Sequence, residues 1–276
     1  PCTDAIIKSK ISEVIYALTD IDKRVRNKSF KILKSKKIIV KKGLLKSKIE
    51  SFYLPYFFNR KKKLPFVTGK IAISKNNIIY SKNQKKITNS YSDQFTHMLR
   101  YQNDSLMITH KTLNKDNPKL NCRLKGFEKF SPKRIILDNK LNSKINSYII
   151  KSSNKKNTLI FYNKADKSKI SKFKRKGIHL IKSRIDQNNR FDIKLILKKL
   201  HNYGCRNLLI EGGDKLTSSL IKNKIFNKFY LYKSPKNLSK NFEYLKFSSQ
   251  NVLNQKYKTK INLNLNLRKD RITLYS

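Results

Sequence analysis

A carboxylate and two glycines stand where an apolar run gives way to a helix start: Leu208, Leu209 and Ile210 lead into Glu211, Gly212, Gly213 and Asp214. Paired glycines allow a tight backbone turn and bring N–H groups close to a ligand. The helix that follows points its positive end at the same spot, which suits a phosphate group. Glu211 ends a strand, and open α/β sheets bind ligands at the carboxyl ends of their strands. By itself the segment serves equally as a plain strand-to-helix turn with an exposed Glu. A second segment, residues 112–123, follows another strand and reaches the same edge. Its Asp116, Asn117 and Pro118 form a turn, and Arg123 can hold a phosphate through a two-pronged fork. The alternative there is a surface turn beside a solvated arginine. Arg100 is the third pointer, the one arginine on its helix in a lysine-rich chain, which hints at a bidentate requirement.

Other chemistries lack their residues. The sequence holds no Ser-His-Asp candidate, no His-Glu-x-x-His motif and no phosphate-loop signature. His97, His110, His179 and His201 are isolated and read as structural or surface residues.

Groups scattered over a hundred residues need a sheet to gather them. Apolar periodicity predicts helices at 4–10, 28–35 and 47–58 and strands at 12–17 and 38–40. The basic run 59–63, ahead of Leu64 and Pro65, reads as a solvated hinge, so domains of 1–62 and 63–276 are expected. Beyond it, strands are expected at 66–74, 105–109, 134–137, 158–162, 178–181, 208–210 and 228–232. Helices are expected between them at 90–100, 167–176, 192–202 and 214–222. Ser90 and Asp93 are spaced as a capping pair, Asp192 as an N-cap, and Gly204 as a helix end. Ile261, Leu263, Leu265 and Leu267 alternate, predicting a hairpin with 272–275 that buries one face. The fold class is therefore α/β, with a mixed, mainly parallel sheet finished by an antiparallel edge.

Composition narrows the setting. At 276 residues and 38% apolar, the chain has room for two modest domains with packed cores. No apolar run approaches the ~18 to 20 residues that span a bilayer, and no signal-peptide pattern is present. Three distant cysteines, Cys2, Cys122 and Cys205, argue against a disulfide framework and for a reducing cytoplasm. A net charge of +48 invites a nucleic-acid reading. The charge is mostly lysine, spread end to end and accompanied by abundant Asn and Ile, as A/T-rich codons dictate. It is not concentrated on one tail, so no specific nucleic-acid partner is expected, only incidental attraction to RNA at low salt. The chain opens Pro1-Cys2-Thr3 without a Met, as a processed or truncated chain would.

The order of these segments resembles the bifunctional deaminase/reductase family of riboflavin biosynthesis. Lys70-Ile71-Ala72-Ile73-Ser74 stands where the family carries K-x-A-x-S, and Leu99-Arg100 where a helix ends in L-R. Residues 112–123, from Thr112 through Asp116, Pro118 and Leu120 to Arg123, follow T-V-x-x-D-D-P-x-L-T-x-R. Pro132 to Asp138 follows P-x-R-I-I-L-D, Ile210 to Leu216 follows I-E-G-G-x-x-L, and Tyr230 and Pro235 close the series. The resemblance implies a dihydrofolate-reductase-like domain that binds NADPH and reduces 5-amino-6-(5-phosphoribosylamino)uracil, a phosphorylated pyrimidine, to its ribityl product. It implies that Arg100, Leu120, Arg123 and Glu211 hold the substrate. Lys86, Thr112, Asp116, Asn139 and the stretch Gly213, Asp214, Lys215, Leu216, Thr217, Ser218 and Ser219 fall at cofactor positions. It also implies a homodimer through the reductase domain. Residues 1–62 resemble the C-terminal part of the family's zinc deaminase domain, with Cys2 at the position of its last zinc ligand and the other ligands upstream.

Departures from the pattern accompany the match. Lys86 replaces a tryptophan that flanks the cofactor, Gln84 a serine, and Asn76-Asn77 an Asp-Gly turn, although Asn still tolerates left-handed geometry. Asn117 replaces the second Asp of D-D-P. Three other readings stay open: a drifted, inactive relative; a dihydrofolate-reductase-like enzyme with another substrate; and a basic nucleic-acid-binding protein.

Overall fold

Parallel strands that are apolar nearly throughout need cover on both faces, and the computed structural model shows how each is covered. It describes residues 2–22, 24–84 and 86–276; Pro1, quoted above beside Cys2, lies outside them. The chain divides into two compact units, Pro1–Lys63 and Leu64–Ser276.

The first unit comprises α1 (Cys2–Lys8), β1 (Glu13–Tyr16), α2 (Lys28–Ser35), β2 (Ile39–Lys42) and α3 (Lys46–Lys62). β1 and β2 pair in parallel, Glu13 opposite Ile39. The expected hinge is a correction: residues 59–62 form the last turn of α3, which also passes through Pro55. Asn59 is buried and donates its Nδ2–H to the Pro55 carbonyl at 2.6 Å. Arg60, Lys61 and Lys62 lie where a helix's negative end favours cations, so the charge run supports the helix. The helix ends at Lys63, φ 55°, because Pro65 disfavours helical geometry at Leu64.

In the second unit the chain runs through β3 (Phe66–Ile73), β4 (Ile78–Ser81), α4 (Ser90–Tyr101), β5 (Ser105–Thr109) and α5 (His110–Asp116). It continues through β6 (Lys133–Leu137), α6 (Tyr148–Lys151), β7 (Thr158–Tyr162), α7 (Lys167–Arg175), β8 (His179–Lys182), α8 (Ile193–Asn202) and β9 (Asn207–Ile210). It closes with α9 (Asp214–Lys222), β10 (Lys228–Lys233), β11 (Tyr244–Lys246), α10 (Gln250–Lys256), β12 (Lys260–Asn262) and β13 (Arg271–Tyr275). A nine-stranded sheet has the order β12-β13-β10-β3-β9-β5-β6-β7-β8, parallel except at the β12 and β13 edge. β4 and β11 form a separate antiparallel pair.

Alternation along the strands sorts side chains to two faces. Met107, Ile135, Leu137, Leu208 and Ile210 meet α8, α9 and α10 through Leu200, Leu220 and Leu253. Leu106, Ile108, Ile136 and Leu209 meet α4, α5, α6 and α7 through Leu99, Leu113, Ile149 and Phe173. Gly69 is required by a close approach: a Cβ there would lie 2.4 Å from the Phe229 ring.

Two expectations are corrected in detail. α4 is capped by Asn89, not Ser90; the Asn89 side chain accepts the Ser92 N–H, and Asp270 accepts both the Asn89 N–H and the Ser92 hydroxyl. Asp93 instead pairs with Lys86 at 2.7 Å. The terminal hairpin forms, but Ile261 and Leu265 face solvent while Leu263 and Leu267 pack inward. Only three residues, Lys260–Asn262, pair before the segment leaves the ladder, so strict alternation does not persist.

Candidate active site

The carboxyl edge of the sheet collects the turn after β9, the start of α5 after β5, and the loop after β6. The site's strongest interaction joins residues 111 positions apart. Arg100 Nε donates to Glu211 Oε1 at 2.8 Å and its Nη2 to Oε2 at 2.9 Å, while Nη1 donates to the Asn121 carbonyl at 3.2 Å. The pair is 11% and 14% exposed. The bidentate requirement inferred for Arg100 is therefore met by Glu211 within the protein. Burial would raise the Glu211 carboxyl, but the Arg100 guanidinium outweighs it and holds the group below its ordinary value. For Arg100 burial acts downward, and Glu211 more than compensates.

Lys70 completes this cluster and was quoted from the sequence only as part of a motif. It lies on β3 beneath α4, with Nζ 4.8 Å from the Tyr232 ring centroid. Burial lowers its pKa; Glu211 opposes the shift and Arg100 adds to it. The signal was a lysine inside an otherwise apolar strand, a costly position unless the charge is used or partnered.

A second group surrounds the loop from Leu120 to Arg123. Leu120 is buried at φ 54°, a left-handed conformation that strains a residue with a Cβ. Its side chain belongs to the core, so a ligand would meet its backbone. Arg123 is exposed and donates Nη1–H to Asn121 Oδ1 at 3.0 Å. Its fork is otherwise available to a phosphate.

The third group flanks the glycine turn. Gly212 and Gly213 both have negative φ, so what their missing side chains supply at this turn is space. A Cβ on Gly212 would press on Leu216 at 3.0 Å, whereas one on Gly213 would meet only Thr112 Oγ1, at 4.0 Å. Thr112 and Gly213 thus lie side by side at the N-terminal ends of α5 and α9, with nothing else that close to the Gly213 Cβ position. Thr217 donates its hydroxyl to the Gly212 carbonyl and fixes the turn. Asp214 is already engaged: it accepts the Ser218 hydroxyl, the Ser248 N–H and the Ser248 hydroxyl. Lys215, Leu216 and Ser219 share the first turns of α9.

The remaining candidates are dispersed. Asp116 ends α5, and Asn117 beside it takes the left-handed conformation, φ 42°. Asn139 follows β6, and its Oδ1 is buried without a hydrogen-bond partner. Asp138 before it is fully buried and accepts the Asn142 N–H together with the N–H and hydroxyl of Ser143. Lys86 turns to Asp93. Asn76 uses both ends of its amide, accepting from Ser74 and the Leu238 N–H and donating to the Leu238 carbonyl. Asn77 takes φ 61°, so the Asn-Asn turn keeps left-handed geometry. Cys2 lies exposed in the first unit, and no cluster of three His, Cys, Asp or Glu occurs among the described residues. Nor does any helix among them have the length and apolarity to cross a membrane.

Comparison with known proteins follows the same segments. The family model described as the RibD C-terminal domain matches residues 65–269. Riboflavin biosynthesis protein RibD of Actinobacillus pleuropneumoniae is 27% identical over 238 residues, covering 86% of this chain and 62% of the relative. The Aquifex aeolicus protein of the same name is 28% identical, covering 86% and 65%. The chain thus spans less than two thirds of these relatives' length. Among solved structures, Acinetobacter baumannii RibD (form 1) aligns with TM-score 0.81 at 20% identity, over all of this chain and 75% of that one. Riboflavin Biosynthesis Reductase Rib7 of Saccharomyces cerevisiae aligns with TM-score 0.56 at 18% identity, over 82% and 98%. At these identities the structural likeness carries the fold.

Proposed function

Because the chain belongs to the RibD C-terminal domain family, by its match over residues 65–269, we propose that its second unit is the NADPH-dependent pyrimidine reductase of riboflavin biosynthesis. The observation that carries this reading is the buried Arg100–Glu211 fork with Lys70 beside it. Three charged groups share one half-dry spot at the carboxyl edge, where an apolar core would be as stable without them.

The substrate is 5-amino-6-(5-phosphoribosylamino)uracil. Arg123, exposed and held only at one nitrogen, takes the phosphate. Arg100 and Glu211 present fixed donors and acceptors to the polar groups of the pyrimidine and sugar. The residues at the cofactor positions suit a dinucleotide: Gly213 leaves the start of α9 free of a side chain, where a phosphate would sit beside Thr112, and Asn139 Oδ1 awaits a donor. Bound NADPH supplies the hydride that C1 of the sugar accepts. Opening of the ribose ring leaves its oxygen in need of a proton, and the Lys70 ammonium, made more acidic by burial, gives one from Nζ. Substrate, hydride and proton together make the ribityl product. The fork orients the sugar against that ammonium, and orientation is where most of the rate advantage arises.

The first unit is proposed as the C-terminal part of a zinc deaminase domain. Cys2 would be one ligand there, and the described residues hold no cluster that completes a metal site, so no deamination step is assigned to them. A cytoplasmic setting and pairing through the second unit belong to the same reading.

The test is NADPH oxidation followed at its absorbance with the deaminated phosphoribosylaminouracil as substrate. Turnover is expected with that substrate, and Lys70→Met is expected to cut kcat by about 10². No oxidation with authentic substrate, under conditions that support a full-length relative, would overturn the assignment.

A further inference from the structure

The loop that carries Arg123 is tied to α4 by three bonds. Arg100 Nη1 donates to the Asn121 carbonyl, the Arg123 N–H donates to His97 Nδ1 at 3.3 Å, and Cys122 Sγ donates to the His97 carbonyl at 3.6 Å. The loop needs outside ties, because Leu120 holds it in a left-handed conformation that favours relaxation. Of the three, one depends on a titratable acceptor. His97 is 7% exposed, so its ring has little access to water in place of this partner.

Building on the reductase assignment, we infer that His97 is a positioning residue: its neutral imidazole splints residues 120–123 against α4, and protonation of Nδ1 releases the loop that presents Arg123 to the substrate phosphate. Accepting the Arg123 N–H requires Nδ1 to be bare, with the ring proton on Nε2. A proton on Nδ1 sets two donors against each other. It also adds a positive charge between two others, Arg100 on α4 and Arg123 on the loop. Glu211, beyond β9, and the Asn121 carbonyl favour the charged ring, but burial and the two guanidinia outweigh them and keep the pKa below the ordinary imidazole value. The splint is therefore complete above the ordinary imidazole range and is lost as pH falls through and below it.

The experiment uses the full chain with His97→Gln and His97→Phe. A Gln oxygen accepts the same N–H at every pH; Phe fills the space and accepts nothing. In the parent, KM for the phosphorylated substrate should rise about tenfold in mild acid, the worth of one hydrogen bond, while kcat at saturation changes little. His97→Gln should keep only the shallower dependence that the substrate's own phosphate, with a pKa of about 6, imposes on every variant. His97→Phe should show the raised KM at all pH values, with its melting curve reporting whether the fold is intact. A parental pH profile in His97→Gln, or a parental KM in a folded His97→Phe, would overturn the inference. A readout without turnover keeps the two proposals separable: the Arg123 amide resonance should titrate with the His97 ring in the parent and not in His97→Gln. Coupled titration in a chain that never oxidises NADPH would sink the reductase reading and leave the splint. An Arg123 amide indifferent to His97 would sink the splint alone.

Discussion

The two edges of the nine-stranded sheet offer a ligand different things. The amino edge holds a cavity of about 420 Å³ lined by Ser105, Ile135, Leu159, Tyr203 and Cys205 among others. Its polar groups are nevertheless occupied with one another. Asp104 accepts the Arg206 and Asn207 N–H groups, His179 Nε2 and the Tyr203 hydroxyl bond each other at 2.8 Å, and burial pushes the Cys205 thiol up and out of reactivity. The carboxyl edge shows convergence instead, with Arg100, Glu211 and Lys70 held together largely away from water. A hollow lined by satisfied groups is inexpensive to maintain, whereas buried charges carry a desolvation cost at every moment. The chemistry therefore follows the charges rather than the volume.

Breaking the convergent edge should have the largest effect. Arg100→Ala leaves Glu211 buried without its bidentate partner, so a loss of roughly 3 to 5 kcal/mol is expected, together with loss of turnover. Thermal melting and NADPH oxidation measure both, and a variant that melts like the parent would erase the contrast between the edges. The same coupling means that Glu211→Gln cannot report on the substrate alone, whereas the exposed Arg123 can be replaced by Ala with little cost in stability. A smaller effect should separate the two glycines. Gly212→Ala presses on Leu216 and Thr217 and should destabilise by about 1 to 3 kcal/mol. Gly213→Ala should melt normally and raise KM for NADPH several-fold, because its Cβ would cover the start of α9 where the cofactor phosphate is proposed to sit. Equal KM values for both would place the cofactor elsewhere. Least of all, Tyr203→Phe at the amino edge removes one exposed hydrogen bond, should cost under about 1 kcal/mol and should leave kcat/KM unchanged. A change in turnover there would give the cavity a role.

Much of the frame was legible because it rests on local signals. The strands at β5, β6, β7 and β9, and the Asp192 cap that accepts the Leu195 N–H, follow directly from periodicity and capping chemistry. What went unread depended on distant partners. The last turn of α3 looked like a hinge because its lysines are polar, but polarity does not report whether a helix end welcomes cations. The short elements β4, β11, α5 and α10 carry too few residues for periodicity to register, and the first two exist through pairing across more than 160 positions. Lys70 stood in a motif without a role, and His97 read as an isolated histidine, until α4 was laid over the sheet.

The order of motifs by itself determined the fold class, the family and the residues worth watching, since spacing along a chain survives drift in composition. Only tertiary structure decided their roles. Arg100 and Glu211 satisfy each other before any ligand arrives, Gly213 provides space rather than flexibility, and Asp214 ties the helix start to Ser248. The physical reason is that a role depends on what else lies within 3 or 4 Å, and the sequence records neighbours along the chain while folding chooses those across it.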